Sequence, residues 1–396
     1  MMTLEKIKKA ADTYETPLYL FDLDVLKETV EKLRELLGKE LSLCYAMKAN
    51  PFLTAKMAGL VEYIEVCSPG ELRICEELKI PMEKIILSGV LKEEEDIRYL
   101  LGSGERLPVF TAESEKQADM LRQLAAAYQK QIEVLLRMTS GNQFGMGEEI
   151  LYHVIEEMKG HPYVKIRGLH FYSGTQKRKA EQMKKELEML DAFCGRVKKE
   201  LGVEIEHLEY GPGFGVEYFM TAGERTDADG TDMVCSVRDA AQKLTFGGSV
   251  TFEMGRYLAA MCGCYLTKVR EVKENCGVRY CLVDGGLHHL NYDGQVMAMR
   301  TPYCRQIPER DGSRQPYQIC GALCTVNDIL IKQYPLSKVY SGDYLVFERT
   351  GAYSMTEGMS LFLSRNLPGV VAYSREKGFE LLREQIPIYV YNMPQK

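Results

Sequence analysis

The sequence predicts an α/β fold, a (β/α)8 TIM barrel over residues 36–260 and an all-β domain over 261–396, with 1–35 as an N-terminal segment packing with the β domain. Three observations carry the prediction. Eight short apolar runs alternate with amphipathic stretches between Leu41 and Gly255, a count and length that suit an eight-stranded barrel. Residues able to do chemistry fall at the end of almost every run. Beyond about residue 260 the texture changes to short β-prone runs separated by Gly, Pro and Asp.

The runs are Leu41–Lys48, Tyr63–Ser68, Lys84–Gly89, Pro108–Thr111, Glu133–Ser140, Arg167–Gly174, His207–Gly213 and Val250–Gly255. Between them, Gly70–Leu78, Ala112–Tyr128, Lys177–Glu200 and Met233–Lys243 carry apolar residues at three- and four-residue spacings, which predicts helices. A doubly wound open sheet is the competing reading of this alternation. The barrel is favoured because its strand ends converge on one face, whereas an open sheet spreads them along an edge. The runs of the last third, among them Gly263–Val272, Tyr280–Val283, Gln318–Leu323, Tyr344–Phe347 and Gln385–Tyr391, read as strands.

With 396 residues, 45% of them hydrophobic, the chain can bury a large core divided between two domains. A net charge of −6 and the lack of any basic stripe exclude a nucleic-acid partner. The opening Met1–Lys6 has no apolar signal core and no run reaches membrane-spanning length, so a cytoplasmic protein is expected. The 12 cysteines are scattered, several in apolar context (Cys44, Cys67, Cys262, Cys264), which reads as buried thiols rather than a disulfide framework. Cys320-x₃-Cys324 has no second Cys/His pair at ligand spacing, and no metal is expected.

The first run ends abruptly on Lys48, before a turn at Asn50–Pro51. A lysine there either snorkels to solvent or has a partner or a chemical task, and its amine suits Schiff-base chemistry because desolvation lowers its pKa. Gly211-Pro-Gly213-Phe-Gly215 closes the seventh run, and glycines let backbone N–H groups cradle a phosphate. Gly255–Arg256 closes the eighth and adds a planar cationic fork. Glu253, two residues earlier, either pairs with Arg256 or Lys48 or holds a proton on a ring nitrogen. A Schiff-base lysine, a phosphate cradle and a carboxylate for a ring nitrogen together specify pyridoxal phosphate (PLP).

On these motifs the chain resembles the diaminopimelate/ornithine decarboxylase family, PLP enzymes with an alanine-racemase-like barrel plus β domain. Tyr45-Ala-Met-Lys48-Ala-Asn50 is similar to its PLP-lysine motif, and Glu253-Met-Gly255-Arg256 to its Glu-Pro-Gly-Arg motif with Met254 for proline. Gly321-Ala-Leu-Cys324 with Asp328 resembles the cysteine motif, Gly351-Ala-Tyr353 the tyrosine motif, and Asp284-Gly-Gly286 also fits. The resemblance implies that Lys48 carries PLP and Glu253 keeps the pyridine nitrogen protonated. It implies that Gly213, Gly215, Gly255, Arg256, Thr175 and Tyr353 bind the phosphate, and that Cys324 returns a proton to Cα. In the family that cysteine comes from the partner subunit, which implies a homodimer with shared sites.

The departures are informative. Where the family has a histidine stacked on PLP, this chain has Tyr172, with His170 two residues earlier on the same strand face, and either is expected to pack on the cofactor. Thr325 follows Cys324 where relatives place an acid, and no Arg-Pro-x-x-Tyr follows Asp284-Gly-Gly286. Thr325, Asp328 and Arg300 (or Arg305) are the residues expected near the substrate. A site without those distal clamps holds a free, doubly charged substrate poorly. The sequence therefore predicts a PLP-dependent α-decarboxylase of an amino acid whose far end is conjugated or carrier-linked. Meso-diaminopimelate decarboxylase is the alternative. A PLP racemase is disfavoured by the Cys324 motif. A non-catalytic homologue of the antizyme-inhibitor kind is disfavoured by retention of Lys48, Glu253, Arg256, Tyr353 and Cys324.

Overall fold

The computed structural model describes residues 2–104, 106–220 and 230–394. After β1 (Leu18–Asp22) come β2 (Leu41–Ala46), β3 (Tyr63–Val66), β4 (Ile85–Leu87), β5 (Val109–Ala112), β6 (Ile132–Met138), β7 (Val164–Tyr172), β8 (His207–Gly211) and β9 (Ser249–Met254). Strands β2 to β9 form a closed barrel in sequence order. Closure is the parallel pairing of β9 with β2, which sets Cys44 opposite Glu253 and rules out the open sheet. The strands are buried on both faces, as in β2, where only Ser42 is partly exposed, and so the sequence shows continuous apolar runs rather than alternation.

Helices stand where the spacing predicts them, at Pro69–Glu77, Glu115–Tyr128, Ala180–Leu201 and Thr231–Ala241. Two starts are written in the sequence: Ser68 Oγ accepts from Glu71 N and Ser114 Oγ from Gln117 N, satisfying amides with no partner inside the helix. Helices Leu23–Leu37, Glu94–Gly102 and Glu148–Met158 lie outside the segments read as helical from sequence. Seven of the eight barrel strands end one or two residues earlier than expected, whereas β5 runs one residue further, to Ala112. Lys48 lies in a 3₁₀ turn, Met47–Ala49, because Asn50 donates back to Met47 O and its side chain accepts from Phe52 N, turning the chain.

The remaining strands are β10 (Gly263–Asn275), β11 (Val278–Val283), β12 (Cys304–Ile307), β13 (Gln315–Cys320), β14 (Ile329–Leu336), β15 (Tyr344–Glu348), β16 (Gly369–Ser374) and β17 (Gly378–Arg383). With β1 they make a nine-stranded sheet. β1 lies inside it, antiparallel to β10 and parallel to β16. Ile7, Ala10 and Ala11 of the first helix (Leu4–Thr13) share a core with Leu18, Leu20, Leu266, Val346 and Val371.

The chain divides into two compact units. One takes the chain up to Thr29, a stretch beginning at Val216, and everything from Leu258; the other runs from Val30 to Gly215 and resumes up to Tyr257. Against boundaries expected at 35/36 and 260/261, the divisions fall at Thr29/Val30 and Tyr257/Leu258, and Val216 opens an excursion that sequence texture does not reveal. The excursion belongs with the β-rich unit because Tyr218 and Phe219 pack on the Tyr292 ring and Met220 N donates to Thr301 O. Among the described residues no helix is long and apolar enough to cross a membrane.

Candidate active site

The barrel gathers its chemistry at the ends of β2, β3, β7 and β9. Lys48 Nζ donates to Glu65 Oε2 at 2.5 Å, lies 3.5 Å from Glu253 Oε1, and is 3.6 Å from Cys67 Sγ. His170 Nε2 stands 2.9 Å from Glu253 Oε2. Both carboxylates are buried, whereas the lysine side chain keeps 40% of its surface accessible. Burial pushes the Glu253 carboxyl up, but the Lys48 charge and the His170 contact outweigh it and hold Glu253 well below the usual carboxylate range. Burial raises the Cys67 thiol, with the Glu65 charge adding to it, so Cys67 stays protonated. Ligating atoms of Glu65, His170 and Glu253 lie within 4.8 Å of one another, and the Lys48 ammonium is the cation beside them.

The glycine turn after β8 is locked to the loop after β7. Lys177 N donates to Gly213 O at 2.9 Å and Gly215 N donates to Lys177 O at 3.0 Å. Gly213 has φ +65°, and a Cβ there would lie 2.0 Å from Gly174 O, so only glycine fits. Arg256, just past β9, donates from Nε to Thr175 Oγ1 at 3.1 Å. Behind this cradle Glu186 accepts from Ser173 Oγ, Lys177 Nζ and Tyr210 OH at 2.6–2.7 Å. Gly211 is needed because the Tyr172 ring lies where a Cβ would be, 2.5 Å from its Cδ2. Thus His170 is engaged by Glu253, while Tyr172 covers the glycine turn.

On the opposite side of the barrel mouth, Arg137 at the end of β6 pairs with Glu113 after β5 at 2.9 Å, both buried, and its guanidinium lies 4.8 Å from the Phe144 ring centre. Lys92 donates to Gly89 O, Thr111 Oγ1 and Gln117 Oε1. Burial lowers its amine to about 8.

The other residues singled out by sequence belong to the β-rich unit. Cys324 is exposed, and with Thr325 it lines a cleft of about 850 Å³ that also takes in Arg270, Asp284 and Arg365. Thr325 Oγ1 accepts from Asn327 N within its own loop. Asp328 is buried and both its oxygens are committed to backbone, Oδ1 to Leu287 N and Oδ2 to Leu323 N. A Cβ at Gly286 or Gly321 would strike that carboxylate, which explains both glycines. Asp284 braces β10 through Thr267 Oγ1 and Lys268 N. Arg300 is exposed, with its guanidinium 5.2 Å from the Phe219 ring centre. Tyr353 has φ +64° and its carbonyl accepts from Thr356 N and Glu357 N.

Residues 23–260 match the family described as pyridoxal-dependent decarboxylase, pyridoxal binding domain. The chain belongs to that family. The pyridoxal-dependent decarboxylase is 28% identical, over 97% of its own length and 95% of the relative's, to an L-glutamyl-[BtrI acyl-carrier protein] decarboxylase of Niallia circulans. It is 27% identical to diaminopimelate decarboxylase of Methanocaldococcus jannaschii, covering 95% and 90% of the two chains. It is 24% identical to the 2-[(L-alanin-3-ylcarbamoyl)methyl]-2-hydroxybutanedioate decarboxylase of Staphylococcus aureus, over 94% and 98%. The M. jannaschii diaminopimelate decarboxylase crystal structure has the same fold, with a TM-score of 0.83 over 98% of this chain and 94% of that one. The family, the enzyme class, the cofactor and the barrel-plus-β-domain fold expected from sequence are therefore established.

Sequence reasoning left several site groups unassigned. Glu65 was visible as an acid in the second apolar run, and its expense in a buried strand was the signal for a role. Glu113, Lys92 and Glu186 gave no such signal, because charged residues beside helix-like stretches are ordinary surface features until the fold buries them.

Proposed function

We propose that this decarboxylase removes the α-carboxyl group of an amino acid whose far end is conjugated or carrier-linked, with Lys48 as the cofactor lysine and Cys324 as the proton donor. The observation that carries the substrate class is Thr325. It stands where an acid would meet a distal amine, it is uncharged, and its hydroxyl is turned back on its own loop. The N. circulans relative, whose name specifies a carrier-linked glutamyl substrate, supports the same reading.

The residues present fit pyridoxal phosphate. The cradle at Gly213 has no room for a Cβ, Arg256 adds a cation beside it, and Glu253 is held anionic near the lysine amine. When bound, the cofactor supplies the electron sink that lets CO₂ leave Cα. Lys48 would anchor it and be released to the solvent side when a substrate amine takes its place. Glu253 would keep a proton on the ring nitrogen, with His170 orienting Glu253. Gly213, Gly215, Gly255, Thr175, Arg256 and Tyr353 would hold the phosphate. Tyr172 would pack against the ring, with His170 paired to Glu253. Cys324, supplied by the second subunit of a homodimer, would return a proton to Cα.

The test is CO₂ release by the PLP-loaded protein, offered meso-diaminopimelate, L-ornithine, L-lysine and L-arginine, and separately an L-glutamyl carrier-protein thioester. Release from the thioester alone is the expected result. Strong release from diaminopimelate alone overturns it in favour of the second reading, meso-diaminopimelate decarboxylase, which the M. jannaschii relative favours.

A further inference from the structure

Beneath the Lys48–Glu253 pair lies a group for which the mechanism has no use. Glu209 is at the middle of β8, fully buried, and among the described residues its carboxyl oxygens meet no N–H or O–H donor, only the weak Cys44 thiol. Its neighbours on the adjacent strands repeat the pattern. Strand register sets Glu209 beside His170 on β7 and beside Thr251 on β9. His170 Nδ1 and Thr251 Oγ1 are likewise buried without a partner. Three successive strands thus carry, in one row, three polar groups whose hydrogen-bonding capacity is unused by N–H or O–H partners among the described residues, and an interior makes such unused capacity costly.

The three groups are complementary. An ionised Glu209 would be a buried charge beside two more carboxylates, Glu253 and Glu65, with only the weak Cys44 thiol and the Arg167 charge to set against them. Burial and those two carboxylates raise it well above the carboxylate range, so it is a neutral acid with an O–H to donate. On the far side of the imidazole, His170 Nε2 faces the anionic Glu253, and in the tautomer that donates from Nε2 the other nitrogen, Nδ1, is an acceptor.

We infer that Glu209 is a positioning residue that sets the tautomer of His170. The Thr251 hydroxyl donates to the Glu209 carbonyl oxygen, the Glu209 O–H donates to His170 Nδ1, and His170 Nε2–H donates to Glu253. A side-chain rotation or one bridging water closes each link. The chain polarises toward Glu253 and keeps that carboxylate anionic, the state in which it can hold a proton on a ring nitrogen. Only this last consequence rests on the proposed function. The tautomer itself is a property of the protein before any cofactor is loaded.

The experiment is ¹⁵N NMR of His170 in the full chain free of PLP, with infrared difference spectra of wild type against Glu209→Gln. The expected result is a proton on Nε2, none on Nδ1, and a protonated-carboxyl band that Glu209→Gln removes. Glu209→Gln retains a donor and should keep the tautomer, whereas Glu209→Met should lose it and bind PLP about tenfold more weakly, the worth of one pKa unit of charge stabilisation. A proton on Nδ1 in the wild type overturns the inference, as does a carboxylate band in place of the acid band. Neither measurement needs a foldable variant beyond Glu209→Gln. Failure to bind PLP at all would sink the functional reading and leave the tautomer result standing.

Discussion

The Lys48 ammonium lies 2.5 Å from Glu65 Oε2 and 3.5 Å from Glu253 Oε1, so one cation serves two buried carboxylates. Its side chain is nonetheless accessible enough for its amine to be reached from the barrel mouth. Lys48→Ala should abolish turnover and the absorbance of lysine-bound cofactor. Borohydride reduction followed by peptide mapping checks this, and an adduct still fixed to the protein in the variant would refute the assignment.

Glu253 is anionic because Lys48 and His170 overcome its burial. Glu253→Gln keeps the shape and removes the charge. We expect kcat to fall by about 10²-fold, the loss typical of deleting one preorganised electrostatic partner, and PLP affinity to fall at least as far as in Glu209→Met. Unchanged kcat would mean that the carboxylate only balances Lys48.

Gly213→Ala tests the cradle. Positive φ costs an L-residue about 1–2 kcal/mol, and the new methyl would sit 2.0 Å from Gly174 O. PLP should bind more weakly while pyridoxal, which lacks the phosphate, is unaffected. Equal loss for both ligands would place the phosphate elsewhere.

A shared site predicts complementation. Mixing Lys48→Ala with Cys324→Ala protein should restore part of the activity, because one of the two sites in a mixed dimer regains both residues. The assay is CO₂ release after subunit exchange, and silence at full exchange would show that Lys48 and Cys324 act within one chain.

Acid should unfold the protein through three histidines. Burial lowers His207 to about 3, with the Arg167 charge adding to it. Burial lowers His288 to about 4, with Arg365 adding to it, and His289 to about 3, with His288 adding to it. All three stay neutral in the folded chain, whereas the unfolded chain takes up protons below about 6.5. Acidification therefore favours unfolding, and the stability they permit is full above that value and lost as pH falls toward 4 and 3. His288, buried with both ring nitrogens unpartnered among the described residues, is the one to remove. His288→Leu should flatten the pH dependence of urea unfolding between 6.5 and 4 without loss of stability at neutral pH. A slope equal to that of the wild type would show that His288 is not one of the groups responsible.

Much of the site was legible because its local chemistry is expensive. A lysine ending an apolar run, as Lys48 does, and an acid inside one, as Glu253 is, are costly unless used. Glu113, Glu186 and Lys92 were not legible, since each lies outside the apolar runs, and only the packed barrel withdraws them from solvent.

The sequence by itself determined the strand–helix alternation, the residues at each strand end, and the change to β texture near residue 260, because apolar periodicity and turn residues act over a few positions. Tertiary structure alone decided that β9 closes on β2, that the N-terminal β1 enters the later sheet, and that Thr251, Glu209 and His170 form one buried row. Those facts depend on strand register between residues far apart in the chain, and no local propensity encodes it.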